Sequence, residues 1–158
     1  MPHLAPAVLA LSAAVAAGLT ATPAAAASST PARDQCVATA GSTESACFAT
    51  EAELASWKAA RPGWRVLVLF FDGNNFRGAK KELGGYRNCT ITTGDVDYAN
   101  PAMPYGWNDR VSSFITMNGC DVLGYRHTYY GGGRFDRYTD RAANLGSWDD
   151  DISSFRLS

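Results

Sequence analysis

An eight-residue pattern rich in oxygen-bearing side chains occurs twice in the chain. It reads WNDRVSSF at residues 107–114 and WDDDISSF at residues 148–155. Each copy has a tryptophan, two acid or amide residues, a variable residue, a β-branched residue, two serines and a phenylalanine. Chance rarely gives such a repeat in a short chain. We therefore expect the two copies, here called the octets, to have the same role.

The side chains of the octets are of the kind that bind a hard cation. Ca²⁺ takes six to eight oxygen ligands from carboxylates, amides, carbonyls and water. Alternate side chains of an extended strand point the same way, so Asn108 is expected on the side of Ser112, with Val111 facing the core. The second octet repeats this arrangement. The candidate side-chain ligands are Asn108, Asp109, Ser112, Asp149, Asp150 and Ser153.

Two further features of the octets bear on this interpretation. The pattern is not an EF-hand, because the glycine and glutamate of that loop are missing. A positive side chain, Arg110, lies in the first octet where the second has Asp151, so the second site is expected to have the more negative field. As an alternative to metal binding, the acidic and serine oxygens could accept hydrogen bonds from main-chain N–H groups.

Catalytic chemistry has little support in the sequence. Beyond the first residues the chain has one histidine, His127, and no C-x-x-C pair, so a zinc site or a Ser-His-Asp triad is poorly supported. Asp149, Asp150 and Asp151 are adjacent, which does not suit the opposed carboxylates of a glycosidase. We therefore expect a protein that is not an enzyme.

The elements around the octets are expected to be β-strands. Short apolar runs alternate with Gly, Asn, Asp and Pro, which is typical of an all-β sandwich. A long polar loop is expected at residues 84–106. The predicted strands are residues 64–71, 76–83, 110–117, 120–127 and 151–158.

The start of the chain resembles a secretory signal. Residues 4–27 are apolar and uncharged, and Ala25 and Ala27 suit an A-x-A-like cleavage site near Ser28. A transmembrane anchor is the less favoured alternative, because the alanine and proline content makes a weak membrane span. We therefore expect a signal peptide at residues 1–27 and a secreted, extracellular protein.

An N-terminal extension is expected at residues 28–63, before the main domain at 64–158. Within it, Thr50 and Glu53 form a capping-box pattern for a short amphipathic helix, which Pro62 would end. The chain has 14 Lys and Arg against 15 Asp and Glu, so it lacks the basic footprint of a nucleic-acid-binding protein or of a polybasic membrane patch. We expect neither nucleic acid nor a membrane as a partner.

The chain has four cysteines, and an exported chain with four cysteines is expected to form two disulfides. Three pairings are possible. The favoured one joins Cys36 to Cys47, closing a short Gly/Ser/Thr loop, and Cys89 to Cys120, tying the long loop to a strand.

A second repeat precedes each octet: an aromatic residue, four residues, a second aromatic residue, one residue and a glycine. It reads FDGNNFRG at residues 71–78 and YRHTYYGG at residues 125–132. Together with the [N/D]-[N/D]-x-x-[S/T]-S pattern of the octets, it resembles the βγ-crystallin superfamily, specifically its calcium-binding microbial members. The resemblance covers roughly residues 64–158.

The resemblance implies a fold and a ligand set. The fold would be a sandwich of two Greek keys, each of four strands, with a short N-terminal helix outside the match. Each of two Ca²⁺ sites would combine an octet with a main-chain carbonyl from a hairpin, namely Asp72 or Arg126. The carbonyls of Arg110 and Asp151 are also implied as ligands.

The biological partner stays open at this point. Some relatives with this fold are metallopeptidase inhibitors, and one is a killer-toxin-like protein. A peptidase-inhibitor role would use a rigid exposed loop, for which residues 90–106 are the candidate. A toxin-like module that binds a cell-surface glycan is a further alternative to a calcium-binding protein.

Overall fold

A computed structural model gives the structure of the chain and describes residues 35–158. The expected signal peptide lies outside the described residues and stays a prediction. Within residues 35–158 the elements are β1 (Gln35–Thr39), β2 (Ser45–Phe48), α1 (Glu51–Ala59), β3 (Arg65–Gly73), β4 (Arg77–Gly85), β5 (Tyr98–Asn100), β6 (Ser113–Thr116), β7 (Val122–Tyr125), β8 (Arg141–Ala142) and β9 (Ser154–Leu157), with two 3₁₀ turns at Thr128–Tyr130 and Gly146–Trp148. No helix in this range is long and apolar enough to cross a membrane.

The strands of the described range form two sheets that exchange strands between the repeats. One sheet has the order β2-β1-β4-β3-β6-β8, and the other has the order β5-β9-β7. The first repeat comprises β3 to β6, yet its β5 lies in the sheet of the second repeat. Conversely, β8 of the second repeat pairs with β6 of the first. The all-β prediction with a short helix is confirmed, but the expected four strands per Greek key are found only in the first repeat, because the second has three strands, β7 to β9.

The two repeats are not equally regular. In the first, β4 is a strand of nine residues beside β3. In the second, the corresponding segment is reduced to two isolated bridges, Val122 to Thr139 and Tyr125 to Arg134. The second repeat is therefore the more open of the two.

The core lies between the sheets and includes residues from both octets. Val111 and its counterpart Ile152 are fully buried, as expected. Phe70 meets Phe114 at 6.2 Å and Phe155 at 5.2 Å between ring centroids. The final phenylalanines of the octets thus pack on one central ring, so each octet contributes to the shared core.

The N-terminal extension contains a hairpin that the sequence did not predict. The expected Gly/Ser/Thr loop between Cys36 and Cys47 is the turn between β1 and β2, and these cysteines face each other in the register and form a disulfide. β1 also pairs in parallel with β4. Residues from both sides of the expected domain boundary therefore lie in one sheet, while the boundary itself stays a prediction.

The helix has the expected start. The side chain of Thr50 accepts a hydrogen bond from the N–H of Glu53 at 3.2 Å. The Glu53 carboxylate reaches back to the N–H of Ala49, at 2.9 Å, one residue before the cap. Leu54 is fully buried, and α1 ends before Pro62. The capping-box prediction is thus confirmed, with the returning bond displaced by one residue.

The long loop is tied to the sheets at two points. Cys89 and Cys120 form the expected disulfide. The predicted loop also contains the end of β4 at Gly84 and Gly85 and the short strand β5, which pairs with β9 and which the sequence did not predict. On either side of it the loop exposes apolar side chains, with Ile91 96% and Tyr105 90% exposed. A peptidase-binding role for residues 90–106 stays a prediction.

Candidate metal centre

Each octet is a turn followed by a strand rather than one extended strand. Asp109 and Asp150 have positive φ angles of 50° and 54°, a left-handed conformation that Asp adopts more readily than most residues. The strands begin only at Ser113 and Ser154. The strand alternation expected for the first half of each octet is therefore wrong, and the turn decides where the acidic side chains point.

The turns place Asp109 and Asp150, the third residue of each octet, beside the other octet. The Ser153 hydroxyl donates to Oδ1 of Asp109 at 2.8 Å. The reciprocal bond, from Ser112 to Oδ1 of Asp150, is longer at 3.5 Å. Main-chain bonds support the crossing: the N–H of Asp109 donates to the carbonyl of Ile152 at 3.2 Å, and the second octet repeats this bond at 3.1 Å. Each first serine is thus paired with a carboxylate from the other repeat.

The N–H of each first serine bonds to the hairpin of its own repeat. Ser112 donates to the carbonyl of Phe71 at 2.8 Å, and Ser153 donates to that of Tyr125 at 2.9 Å. The next residue along each hairpin is Asp72 or Arg126, whose carbonyl is an expected ligand. The hairpin carbonyls therefore follow directly after a residue that is fixed to the octet.

The other expected main-chain ligands remain available. Among the hydrogen bonds between residues 35 and 158, none is accepted by the carbonyl oxygens of Arg110, Arg126 or Asp151. Asn108 and Asp149, at the second position of each octet, are exposed. The amide of Asn108 donates to Oδ2 of Asp109 at 2.6 Å, so Asn108 lies next to the carboxylate that crosses to the other octet.

The second serine of each octet holds the folded hairpin of its own repeat, a role that the sequence did not predict. The buried hydroxyl of Ser113 donates to the carbonyl of Gly73 at 2.5 Å and accepts from the N–H of Phe76 at 3.0 Å. It thereby closes the folded hairpin. The second repeat makes both bonds with the corresponding residues Ser154, His127 and Tyr130, at 2.6 and 3.1 Å.

The folded hairpins bring the two aromatic residues of each pattern together and hold the final glycine in a left-handed conformation. Phe71 meets Phe76 at 5.9 Å between centroids, and Tyr125 meets Tyr130 at 5.5 Å. The glycine that ends the first pattern, Gly78, has a φ of 85°, and its counterpart in the second pattern has 70°. This left-handed backbone favours glycine. The hairpin prediction is confirmed in both repeats.

An ion pair flanks each site, with the charges exchanged between corresponding positions. Arg110 of the first octet pairs with Asp72 of its hairpin, with Nη2 2.7 Å from Oδ2. In the second repeat Asp151 is in the octet and pairs with Arg126 of the hairpin. One arginine and one aspartate therefore lie beside each site. The charge difference between Arg110 and Asp151 is thus offset by the hairpin residues, and the expectation that the second site has the more negative field stays a prediction.

The donor set suits a hard cation better than zinc. Among residues 35–158 no group of three or more His, Cys, Asp or Glu side chains could hold a metal ion. All the oxygens that the crossing brings together are hydroxyl, carboxylate or main-chain oxygens, the ligands of Ca²⁺. The residues that are present therefore fit calcium, with few charged ligands at each site.

No protein-family model and no curated protein matches the chain. The chain is similar to a solved βγ-crystallin from an archaeon, at 23% identity over 59% of this chain and 98% of that chain, with a TM-score of 0.42. It is similar to a βγ-crystallin domain from Clostridium beijerinckii, at 20% identity over 58% and 95%, with a TM-score of 0.42.

A third similar structure is the βγ-crystallin domain of Abundant Perithecial Protein from Neurospora crassa in its Ca²⁺-bound form. The identity is 20% over 58% of this chain and 87% of that chain, with a TM-score of 0.42. The structure itself shows two sheets with exchanged strands, two folded hairpins and two octets in contact with each other.

Proposed function

We propose that this βγ-crystallin-like domain is a secreted, non-catalytic module that binds two Ca²⁺ ions. The expected signal peptide and the two disulfides support export, because disulfides persist in oxidising compartments. The two octets support two sites. The biological role would be that of a calcium-stabilised extracellular module.

The observation that carries the proposal is the reciprocal pairing of serine and aspartate between the octets. The bonds from Ser153 to Asp109 and from Ser112 to Asp150 bring a hydroxyl and a carboxylate together twice. Arranged in this way, one site would take Ser112 and Asp150, and the other would take Ser153 and Asp109. Main-chain carbonyls would complete each ligand set.

The ligand set also implies the strength of binding. A serine hydroxyl is neutral, and the flanking aspartates are already paired with arginines. Calcium affinity rises with the number of charged ligands and the rigidity of the site. We therefore expect modest affinity, in the range of sensor or extracellular modules rather than of tight calcium buffers.

Calorimetric titration of the chelator-treated protein with Ca²⁺ tests the proposal. The expected result is saturable heat from two binding events and a higher melting temperature, because a ligand that binds the native state stabilises it. A titration with Mg²⁺ is the control for general cation effects. No binding heat and an unchanged melting temperature in millimolar Ca²⁺ would overturn the proposal.

A further inference from the structure

The two repeats correspond position by position, which shows where they differ. Asn100 and Ala142 each lie opposite the last residue of an octet, one in each sheet. Counting back from them, Tyr98 in the first repeat corresponds to Asp140 in the second. Tyr98 packs against the core, and Asp140 is exposed. A large aromatic side chain of the first repeat is therefore absent from the second.

Two more positions differ in the same region. Met103 and Asn144 are each the fourth residue before an octet; Met103 is buried and Asn144 is exposed. Lys81 and Phe135 are each the third residue after the hairpin glycine; Lys81 is fully buried and Phe135 is half-buried. The packing at these positions is thus looser in the second repeat, where the cavity is larger than the one of about 330 Å³ that Asn100, Met103 and Pro104 line in the first.

The result is a cleft in the second repeat, with a volume of about 460 Å³. This volume lies within the usual range of small-molecule sites. Its lining has an apolar part, Phe135, Ala142, Leu145 and Trp148, and a polar part, Asp136, Arg137, Thr139 and Asn144.

The aromatic part of the lining is held firmly. Phe135 stacks on the core ring of Phe114, with centroids 6.2 Å apart and planes 14° apart. It meets the edge of Trp148 at 4.9 Å. The guanidinium of Arg126 lies 4.3 Å from the centre of the Trp148 ring. The cleft therefore has a preformed aromatic wall, which lowers the entropic cost of binding.

The polar part of the lining has spare hydrogen-bonding capacity. Among the described residues, the side chains of Asp136 and Arg137 make no hydrogen bond or ion pair, and both are exposed. Asn144 uses its Oδ1 to accept from the N–H of Gly146 at 2.6 Å, which leaves its amide donors available. Adjacent acidic and basic side chains give this edge no net charge.

From this lining we infer that the cleft binds a neutral saccharide unit. The C–H face of a sugar ring packs on aromatic side chains, while its hydroxyls both donate and accept hydrogen bonds, as Asp136 and Arg137 together require. A purely apolar ligand would desolvate both charges without compensation. A charged ligand would meet a side chain of like charge as well as one of opposite charge.

NMR amide shifts under titration with neutral monosaccharides and disaccharides test the inference. The expected result is a saturable shift for at least one sugar, confined to residues 133–148 and present with or without Ca²⁺. A failure of calcium binding would leave this result unaffected. The inference is overturned if none of the sugars gives a saturable shift, or if the shifts lie elsewhere in the molecule.

Variants locate the site. Asp136→Ala removes a charged hydrogen-bonding group and should weaken sugar binding by at least about tenfold. Asn144→Met places the residue of the first repeat into the cleft and should have a similar effect. Glu51→Ala, which removes an exposed carboxylate from α1, should bind the sugar like the wild type. Equal affinities of Asp136→Ala and Glu51→Ala, with unchanged melting temperatures, would contradict the assignment.

Discussion

The hydroxyl of Ser153 lies 2.8 Å from a carboxylate oxygen of Asp109, and this bond joins the two octets. The reciprocal contact joins Ser112 to Asp150. In the proposed calcium sites neither octet would be complete alone, because each copy would provide the hydroxyl of one site and the carboxylate of the other.

The first prediction follows from this crossing. Ser153→Ala and Asp109→Asn should weaken the same Ca²⁺-binding step, and Ser112→Ala and Asp150→Asn should weaken the other. Double-mutant cycles by calorimetry should give a coupling of about 1 kcal/mol within each crossed pair, because contacting residues are not additive. Glu51→Gln, far from the octets in sequence, is the control and should leave both steps unchanged.

A specific outcome would contradict the crossed assignment. If Asp109→Asn couples to Ser112→Ala instead, each site is built within a single octet. If the four variants lower the stability of the calcium-free protein by about 1 kcal/mol without any effect that depends on calcium, the octets are structural caps.

The second prediction separates the two serines of each octet. Ser113 bridges two main-chain groups of the hairpin and is fully buried. Ser113→Ala removes both bonds and should cost about 1–3 kcal/mol of calcium-free stability. The counterpart Ser154→Ala should behave in the same way. Urea unfolding in the presence of chelator measures this, with Ser112→Ala as the matched control, which should unfold nearly like the wild type.

Much of the fold was predictable because its signals are local. The capping pattern of Thr50 and Glu53, the folded hairpins and the buried positions Val111 and Ile152 depend on neighbours in the sequence, and all were confirmed. The β1–β2 hairpin was missed because its strands are short and its turn is rich in Gly, Ser and Thr. The Cys36–Cys47 disulfide within it was predicted, but the parallel pairing of β1 with β4 that places the hairpin in the sheet is a long-range contact.

The sequence predicted which residues form the candidate site but not which of them contact each other. The oxygen-bearing residues were evident from the octets. Their assignment to partners depends on the left-handed turns at Asp109 and Asp150 and on contacts between distant segments. The exchanged ion pairs, Arg110 with Asp72 and Asp151 with Arg126, likewise could not be read from either octet alone.

The third prediction concerns the disulfides. Cys89 and Cys120 are separated by 31 residues, and Cys36 and Cys47 by 11. Closure of the longer loop removes more entropy from the unfolded chain. Loss of the Cys89–Cys120 disulfide should therefore cost about 3–4 kcal/mol of stability, against about 3 kcal/mol for loss of Cys36–Cys47. Paired Cys→Ala variants, unfolded in urea, measure the two costs. A larger cost for Cys36–Cys47 would show that native-state contacts of the β1–β2 hairpin outweigh loop entropy.

The fourth prediction uses the buried lysine that corresponds to Phe135. Burial, and secondarily the positive charge of Arg110, lowers the pKa of Lys81 from 10.5 to about 8. Between these two values the unfolded chain binds more protons than the folded one, so this group makes stability rise with pH across that window. Lys81→Met removes the buried charge and should stabilise the protein at neutral pH, with an advantage that shrinks as the pH approaches 10.5. Urea unfolding of both proteins across this range measures the difference, and a difference that stays constant with pH would show that Lys81 does not carry the cost of a buried charge.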